Sequence, residues 1–216
     1  MERGRKRTRS AADVRAAGRV RPLDRRFYAR DTAVVARELL GAVLVSTVGG
    51  ERTAGRIVET EAYIGPHDPA SHAAERIGRT QRNTSMFAVA GTAYVYRIYG
   101  VHWCLNTVTA DVDFPAAVLV RALEPLHGIE IMRLRRWPDG AYGPDRQLTN
   151  GPGKLAAALA ITGALDGHDL RKSPLRILPG ERVADARVRT GPRIGITRAT
   201  DWPLGFCVTD CPWVSR

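Results

Sequence analysis

The chain has 216 residues, of which 44% are hydrophobic, and its formal net charge is +11. That length fits one domain, or at most two small ones, with enough apolar residues for a full core. No apolar run approaches the roughly 20 residues of a membrane helix, so no segment is expected to span a membrane. A net charge this positive favours a polyanionic partner, most often nucleic acid.

The positive charge is concentrated near the N-terminus. Residues 1–21 hold eight Arg and Lys against Glu2 and Asp13, a net charge of +6, which leaves +5 for the other 195 residues. Because no apolar period accompanies these charges, residues 1–22 are predicted to form a disordered basic arm. The arm either adds salt-sensitive DNA affinity or only solubilises the chain, and it lacks the apolar segment of a secretory signal. Residues 23–216 are predicted to form one domain.

The three cysteines, Cys104, Cys207 and Cys211, fit a reducing compartment, so a cytoplasmic protein is expected. The last two form a C-x3-C pair, but the scattered histidines do not complete a four-ligand set. Structural thiols and no metal site are therefore predicted.

The sequence of the first part of the domain predicts a helix, a hairpin and a long loop. Asp31 is a good N-cap for "TAVVARELL", and Gly41 stands where a C′ glycine belongs. Two strand-like segments flank Gly49-Gly50 and predict a β-hairpin with a primed turn. Residues 65–91 are rich in turn formers, and a loop of that length inside a compact domain is usually functional.

The second part predicts more strands than helices. Strands are expected at Thr92–Tyr99, "WCLNTVTA" and Ala116–Leu123, the last apolar enough to be central, and helices at "GIEIMRLRRW" and from Pro152 to about Ile161. Later strands are predicted at "LRIL", "ADARVRT", "PRIGIT" and "GFCVT". Without a regular βαβ alternation, the fold class is a mixed α/β (α+β) single compact domain with a curved, largely antiparallel sheet flanked by helices.

The segment "RIVETEAYIG" places Glu59, Glu61 and Tyr63 at every second position, on one face of a strand. Tyr96 comes from another aromatic strand. If the two strands pair or face each other, a carboxylate lies beside a slot between two aromatic rings. Such a slot suits a flat, electron-poor or cationic ring, and Glu61 can act as a general base on water.

Two further polar residues suit this slot. His72 in the long loop can close it with a directed hydrogen bond, and Asn106 can test the edge of a planar ligand because its amide both donates and accepts. For each residue alone, packing or a solvated face is the ordinary explanation, and only their joint occurrence favours a site.

The remaining candidates point to nucleic acid. "NGPGK" leads into a helix and can hold a backbone phosphate through Lys154, although an ordinary turn explains it equally well. Arg79 and Arg82 would complete a phosphate-positioning set. Tyr99, before Gly100 at the end of a strand, is either a buried turn tyrosine or a wedge that replaces a nucleotide displaced from the stack.

Taken together, several segments resemble the alkyladenine (3-methyladenine) DNA glycosylase family in its bacterial form. They occur in order between about residues 23 and 214, and strings as long as "VETEAYIGP" are specific. The segments are "LDRRFYARDTAVVARELLG", "RIVETEAYIGPHDPASHA", "RNTSMF", "GTAYVYRIYGVHWCLN", "VLVRALEP", "NGPGKLAAAL" and "PWVS".

The resemblance implies a monofunctional repair enzyme that flips alkylated or deaminated purines out of duplex DNA and hydrolyses the N-glycosidic bond without a cofactor, as a monomer. It also implies residue roles. Glu61 activates the attacking water and Arg121 helps to hold it. Tyr63 and Tyr96 sandwich the base, His72 lies at its edge, and Asn106 excludes guanine. Tyr99 is the wedge. The residues implied to contact the DNA are Met86, Arg79, Arg82 and Lys154.

The chain departs from familiar members near the wedge. Arg97 stands in "YVYRIYG" where an apolar residue is expected, Val101 and His102 follow where members vary, and "FAVAG" after Met86 lacks a basic residue of some relatives. Two other functions compete with the resemblance: a non-catalytic nucleic-acid-binding module, which would tolerate replacement of Glu61, and a hydrolase of small nucleosides, which would not prefer duplex DNA.

Overall fold

The computed structural model describes residues 20–215, so nearly all of the predicted basic arm lies outside the described residues. Within that range eight strands form one antiparallel sheet, in the order β3-β4-β5-β2-β1-β6, and a β7–β8 hairpin joins it through β8 and β2. The predicted mixed α+β fold is confirmed. No helix of residues 20–215 is long and apolar enough to cross a membrane.

The strands and helices are numbered here in chain order. The strands are β1 (Val43–Ser46), β2 (Thr53–Tyr63), β3 (Ala93–Ile98), β4 (His102–Thr109), β5 (Ala116–His127), β6 (Leu175–Leu178), β7 (Val188–Gly191) and β8 (Gly205–Val208). The α-helices are α1 (Arg25–Tyr28), α2 (Thr32–Glu38), α3 (Ile129–Arg136) and α4 (Pro152–Ala158).

Helix α2 has the N-cap that the sequence predicts, but its C-cap is Leu39, so Gly41 lies one position beyond the predicted C′ site. The Asp31 carboxylate accepts a hydrogen bond of 2.9 Å from the Val34 N–H, which satisfies one of the free donors of the first turn. Gly41 has φ +93°, and a Cβ there would lie 2.0 Å from the Glu181 carbonyl oxygen. Glycine is therefore required both for the turn after α2 and for the close approach of residue 181.

The predicted hairpin is formed by β1 and β2. Its ladder runs from Val43 opposite Arg56 to Ser46 opposite Thr53. Gly49 and Gly50 both have positive φ, 71° and 80°, as a primed turn requires. Pairing stops at Ser46 and Thr53, however, so the connection spans residues 47–52 rather than a two-residue turn.

Strand β5 is central, as predicted, because it lies between β4 and β2. Its residues Ala116–Leu123 are buried throughout, and Val118, Val120, Ala122 and Leu123 among them belong to the main core. Strands β2 and β3 do not pair, since β4 and β5 separate them. Tyr63 of β2 and Tyr96 of β3 nevertheless line one pocket.

The last third of the chain confirms β6 and β8 and corrects one strand. The segment "PRIGIT", residues 192–197, is not a strand but a loop. Pro192 has no N–H to donate, Gly195 has φ +76°, and the Ile194 N–H donates to a side chain instead of a ladder. Of the predicted strand "ADARVRT", residues 184–190, only Val188, Arg189 and Thr190 are paired, and the pairing continues to Gly191.

Replacing Asp31 by Ala should lower the free energy of unfolding by about 1 kcal/mol, because the first turn of α2 loses its side-chain cap. Urea denaturation of the two proteins measures the difference. Asp31→Asn keeps an acceptor oxygen and serves as the control. Equal loss in both variants would contradict the capping explanation.

Candidate active site

One pocket opens among β2, β3, β4, β5 and the loops 65–91 and 192–198. It gathers residues that are far apart in the sequence, because strands from both halves of the sheet supply its walls. Six of the predicted site residues line it: Tyr63, His72, Met86, Tyr96, Asn106 and Arg121.

A buried guanidinium joins the two long strands behind this pocket. The Arg121 Nη1 atom of β5 lies 3.2 Å from the Glu61 Oε1 of β2, and its Nε lies 3.7 Å from the Glu59 Oε1. Arg121 also donates to the Ser215 hydroxyl at 3.3 Å, and the Ser215 N–H donates to Glu59 at 2.7 Å. The two glutamates therefore share one cation, and Glu59 is fixed by the end of the described chain.

Glu61 lies immediately behind the pocket wall, with only 1% of its surface exposed. Its Oε2 accepts a hydrogen bond of 2.9 Å from the Tyr63 hydroxyl, and its Oε1 accepts one of 2.7 Å from the Ile194 N–H. Burial raises the pKa of Glu61, and Arg121, the Ile194 N–H and the Tyr63 hydroxyl oppose that rise. The result is a carboxylate more basic than usual beside a cation that reaches the pocket.

Aromatic rings form another part of the pocket wall. The His72 Nδ1 and the Tyr94 hydroxyl oxygen are 2.9 Å apart, and the His72 ring lies edge-on to Tyr96 with centroids 4.4 Å apart. Burial, followed by the Arg82 charge, lowers the pKa of His72 to about 4. The imidazole is therefore neutral near pH 7, and it can donate or accept at the pocket without adding charge.

Sequence reasoning missed a second buried ion pair, which supports Tyr63. Arg193 and Asp68 have fully buried side chains and form a two-pronged pair, in which the Nη2–Oδ1 distance is 2.9 Å. The Arg193 guanidinium also lies 4.7 Å from the Tyr63 ring centroid and donates to the Ala62 carbonyl at 3.0 Å. An isolated Arg in a strand-like segment gave no signal of this arrangement, since its partner is 125 residues away.

Asn106 lies on β4 at the pocket and is nearly fully buried. Its Nδ2 donates to the Tyr94 carbonyl oxygen at 3.1 Å, which fixes the amide against the neighbouring strand β3. Met86, which was predicted on the DNA, is buried in the pocket wall rather than on the outer surface.

Tyr99 lies outside the pocket in the turn between β3 and β4. The residue is 84% exposed, so the buried alternative is wrong, and its φ of 51° is unusual for a residue with a Cβ. The neighbouring Val101 is exposed as well. Arg97 lies 5.6 Å from the Trp103 ring centroid, so the departure in "YVYRIYG" is an exposed stacked cation.

The three predicted phosphate contacts have different partners. Arg79 is paired with Asp113 at 2.9 Å and lies over the Phe87 ring. Arg82 donates to the Arg97 carbonyl at 3.2 Å, and Lys154 donates to the Asn150 side chain at 2.9 Å.

Metal ligands do not cluster in this part of the chain. Among residues 20–215, no three His, Cys, Asp or Glu side chains are arranged to hold a metal ion.

Comparison with known proteins identifies the family of the chain. Residues 26–212 match the family described as Methylpurine-DNA glycosylase (MPG). Provisionally named 3-methyladenine DNA glycosylases of Myxococcus xanthus and Methanoculleus marisnigri are each 48% identical, covering 88% of this chain and 91% and 96% of their own lengths. One from Agrobacterium fabrum is 49% identical, covering 88% of this chain and 90% of its own.

These matches define a DNA-repair glycosylase, a hydrolase that acts on N-glycosyl bonds. More specifically, the chain belongs to the methylpurine-DNA glycosylase family.

Replacing Arg193 by Met should lower the free energy of unfolding by about 3–5 kcal/mol, because it leaves the Asp68 carboxylate buried without a counter-charge. Urea denaturation measures this loss. The double variant Arg193→Met/Asp68→Leu removes both charges and should lose less. A double variant less stable than the single one would contradict an uncompensated charge as the cause.

His72 should make folding stability depend on pH. The unfolded state binds a proton near pH 6.5, whereas the native state binds one only near pH 4. The free energy of unfolding should therefore fall as the pH drops between these values, by up to about 1.4 kcal/mol per pH unit. In His72→Gln this component should vanish, as denaturation at several pH values would show. Parallel curves for the two proteins would refute the expected shift.

Proposed function

We propose that the enzyme is a monofunctional glycosylase that flips alkylated or deaminated purines out of duplex DNA, with 3-methyladenine, 7-methylguanine and hypoxanthine as the substrate class. It hydrolyses the N-glycosidic bond with an activated water and leaves an abasic site. The observation that carries this proposal is the buried Glu61 carboxylate, bound to Arg121 directly behind an aromatic pocket. The names of the relatives support the alkylated-purine substrate.

Glu61 is the general base of this mechanism. It takes a proton from water, the water oxygen attacks the C1′ of the sugar, and the bonding electron pair leaves with the base. Its raised pKa increases its basicity, and the Ile194 N–H keeps one oxygen fixed in position. Arg121 holds the water, because it contacts Glu61 and also lines the pocket.

The flipped base stacks between Tyr63 and Tyr96, with the neutral His72 at its edge. A purine alkylated at N3 or N7 is cationic and leaves readily, whereas neutral hypoxanthine needs more help in departing. Asn106 excludes normal guanine by a clash with the exocyclic amino group. Its hydrogen bond to the Tyr94 carbonyl supports this role, because a fixed side chain rejects a poor fit better than a mobile one.

Tyr99 is the wedge that occupies the space of the flipped nucleotide, and its exposure supports this role. Arg79, Arg82 and Lys154 position the backbone, and Met86 contributes from the pocket wall. The enzyme acts as a cytoplasmic monomer on duplex DNA and requires no cofactor.

Replacing Glu61 by Gln should abolish base excision while duplex binding remains, because the amide cannot accept the proton of the attacking water. Duplexes carrying 3-methyladenine-like damage or hypoxanthine are incubated with each protein, and hot alkali then cuts at abasic sites. A fall of at least about 100-fold in the single-turnover rate is expected.

Glu124→Gln is the matched control, since Glu124 is a half-exposed carboxylate on β5 that pairs with Arg56 at 3.2 Å. It should excise like the wild type. If neither wild type nor Glu61→Gln acts on any lesion, yet both bind DNA alike, the binding-module function replaces this one.

A further inference from the structure

Two arginines that sequence reasoning did not single out stand at the mouth of the pocket. Arg76 belongs to the loop 65–91 and Arg198 to the loop that follows β7. Both residues line the pocket, and both are exposed to solvent. The mouth is therefore edged by an arginine from each of two separate loops.

Neither guanidinium is committed to a carboxylate. Arg76 makes one long hydrogen bond, of 3.4 Å, to the Pro69 carbonyl, and neither it nor Arg198 forms a salt bridge within residues 20–215. Nearby arginines differ, since Arg79 is paired with Asp113 and Arg193 with Asp68. The two cations at the mouth are thus available to an external anion.

The pocket itself offers them no compensating charge. No Asp or Glu is among the described residues that line it, and the carboxylate just behind its wall, Glu61, is already paired with Arg121. The rim therefore presents two free positive charges beside a largely aromatic cavity, an arrangement that suits a flat neutral or weakly charged group carrying anions at its outer end.

A flipped nucleotide has this form. When its base enters a pocket, the phosphates on its 5′ and 3′ sides are drawn to the mouth, where their negative charges oppose the extrusion. We propose that Arg76 and Arg198 form a phosphate clamp, in which each guanidinium binds one of the two phosphates that flank the flipped nucleotide. This inference rests on the proposed function, because it requires that a nucleotide enter the pocket.

The clamp should affect damaged and undamaged duplex differently. A guanidinium that binds a flanking phosphate only after extrusion stabilises the flipped state, and it contributes little to affinity for undamaged duplex. Loss of a general DNA contact would instead weaken binding equally to damaged and to undamaged duplex.

The test measures binding to a duplex with one tetrahydrofuran abasic-site analogue, whose flipping needs no particular base. Arg76→Gln and Arg198→Gln should each weaken this binding by about tenfold and leave binding to the undamaged duplex within about twofold. Arg189→Gln is the control, because Arg189 is also exposed and unpaired within residues 20–215 but lies on β7, away from the pocket.

A neutral methylphosphonate at the 5′ or the 3′ flanking phosphate then identifies the partner of each arginine. When the phosphate that an arginine binds is made neutral, substitution of that arginine by Gln should no longer weaken binding. A methylphosphonate four nucleotides away should leave the effects additive. Additive effects at both flanking phosphates, or equal weakening on damaged and undamaged duplex, would overturn the clamp.

Excision of hypoxanthine by the wild type, assayed in parallel, separates the two proposals. Excision without coupling to either phosphate rejects the clamp and leaves the glycosylase mechanism intact. The clamp is supported if each arginine is coupled to a flanking phosphate and if the wild type excises hypoxanthine while both arginine variants excise it more slowly.

Discussion

The site depends on one buried cation. Arg121 of β5 forms ion pairs with Glu59 and Glu61 of β2, and it also donates a hydrogen bond to Ser215 at the end of the described chain. A guanidinium out of water is costly unless its partners are fixed in place, and here the longest strand pair of the sheet fixes them. The same contact adjusts the basicity of Glu61, because burial raises its pKa while Arg121 favours the charged form. Strand pairing, the last residues of the chain and the reactivity of one carboxylate are therefore linked through a single side chain.

A second buried ion pair, Arg193 and Asp68, fixes the loops that line the pocket. Arg193 and Asp68 connect the loop after β7 with the loop before β3, and both loops supply walls of the pocket. The next peptide N–H, that of Ile194, donates to Glu61. Loops are usually the more mobile and variable parts of a fold, yet these two are held to β2 by a charge pair and by the Tyr63 ring. The pocket is thus formed before any ligand binds, which lowers the entropic cost of binding one.

Local patterns predicted much of the fold, because they depend on neighbours in the sequence. The Asp31 cap, the hairpin glycines and the alternation around Glu61 and Tyr63 each act over a few residues, and each prediction of an element there was confirmed. The strand predicted at residues 192–197 was wrong because its hydrogen bonds are decided by Asp68 and Glu61, more than 100 residues earlier. Arg76 and Arg198 escaped notice for the same reason, since only the folded loops bring them to one rim. The residue pattern suggested a slot with a general base, the family resemblance then implied a specific role for each site residue, and these roles remain predictions.

The tyrosines of the molecule fall into two groups with opposite energetics. Tyr63 and Tyr96 are packed against charged and aromatic neighbours, so the free protein already gains from their positions. Tyr99 gains nothing comparable: the residue is 84% exposed, and its backbone has a φ of 51°, a conformation disfavoured by its Cβ. The positive φ is a cost to the folded chain, and the exposed ring contributes little burial to offset it. Burial of the ring in a complex would offset that cost. The proposed wedge would provide such burial, because an extruded nucleotide leaves a flat apolar gap in the base stack.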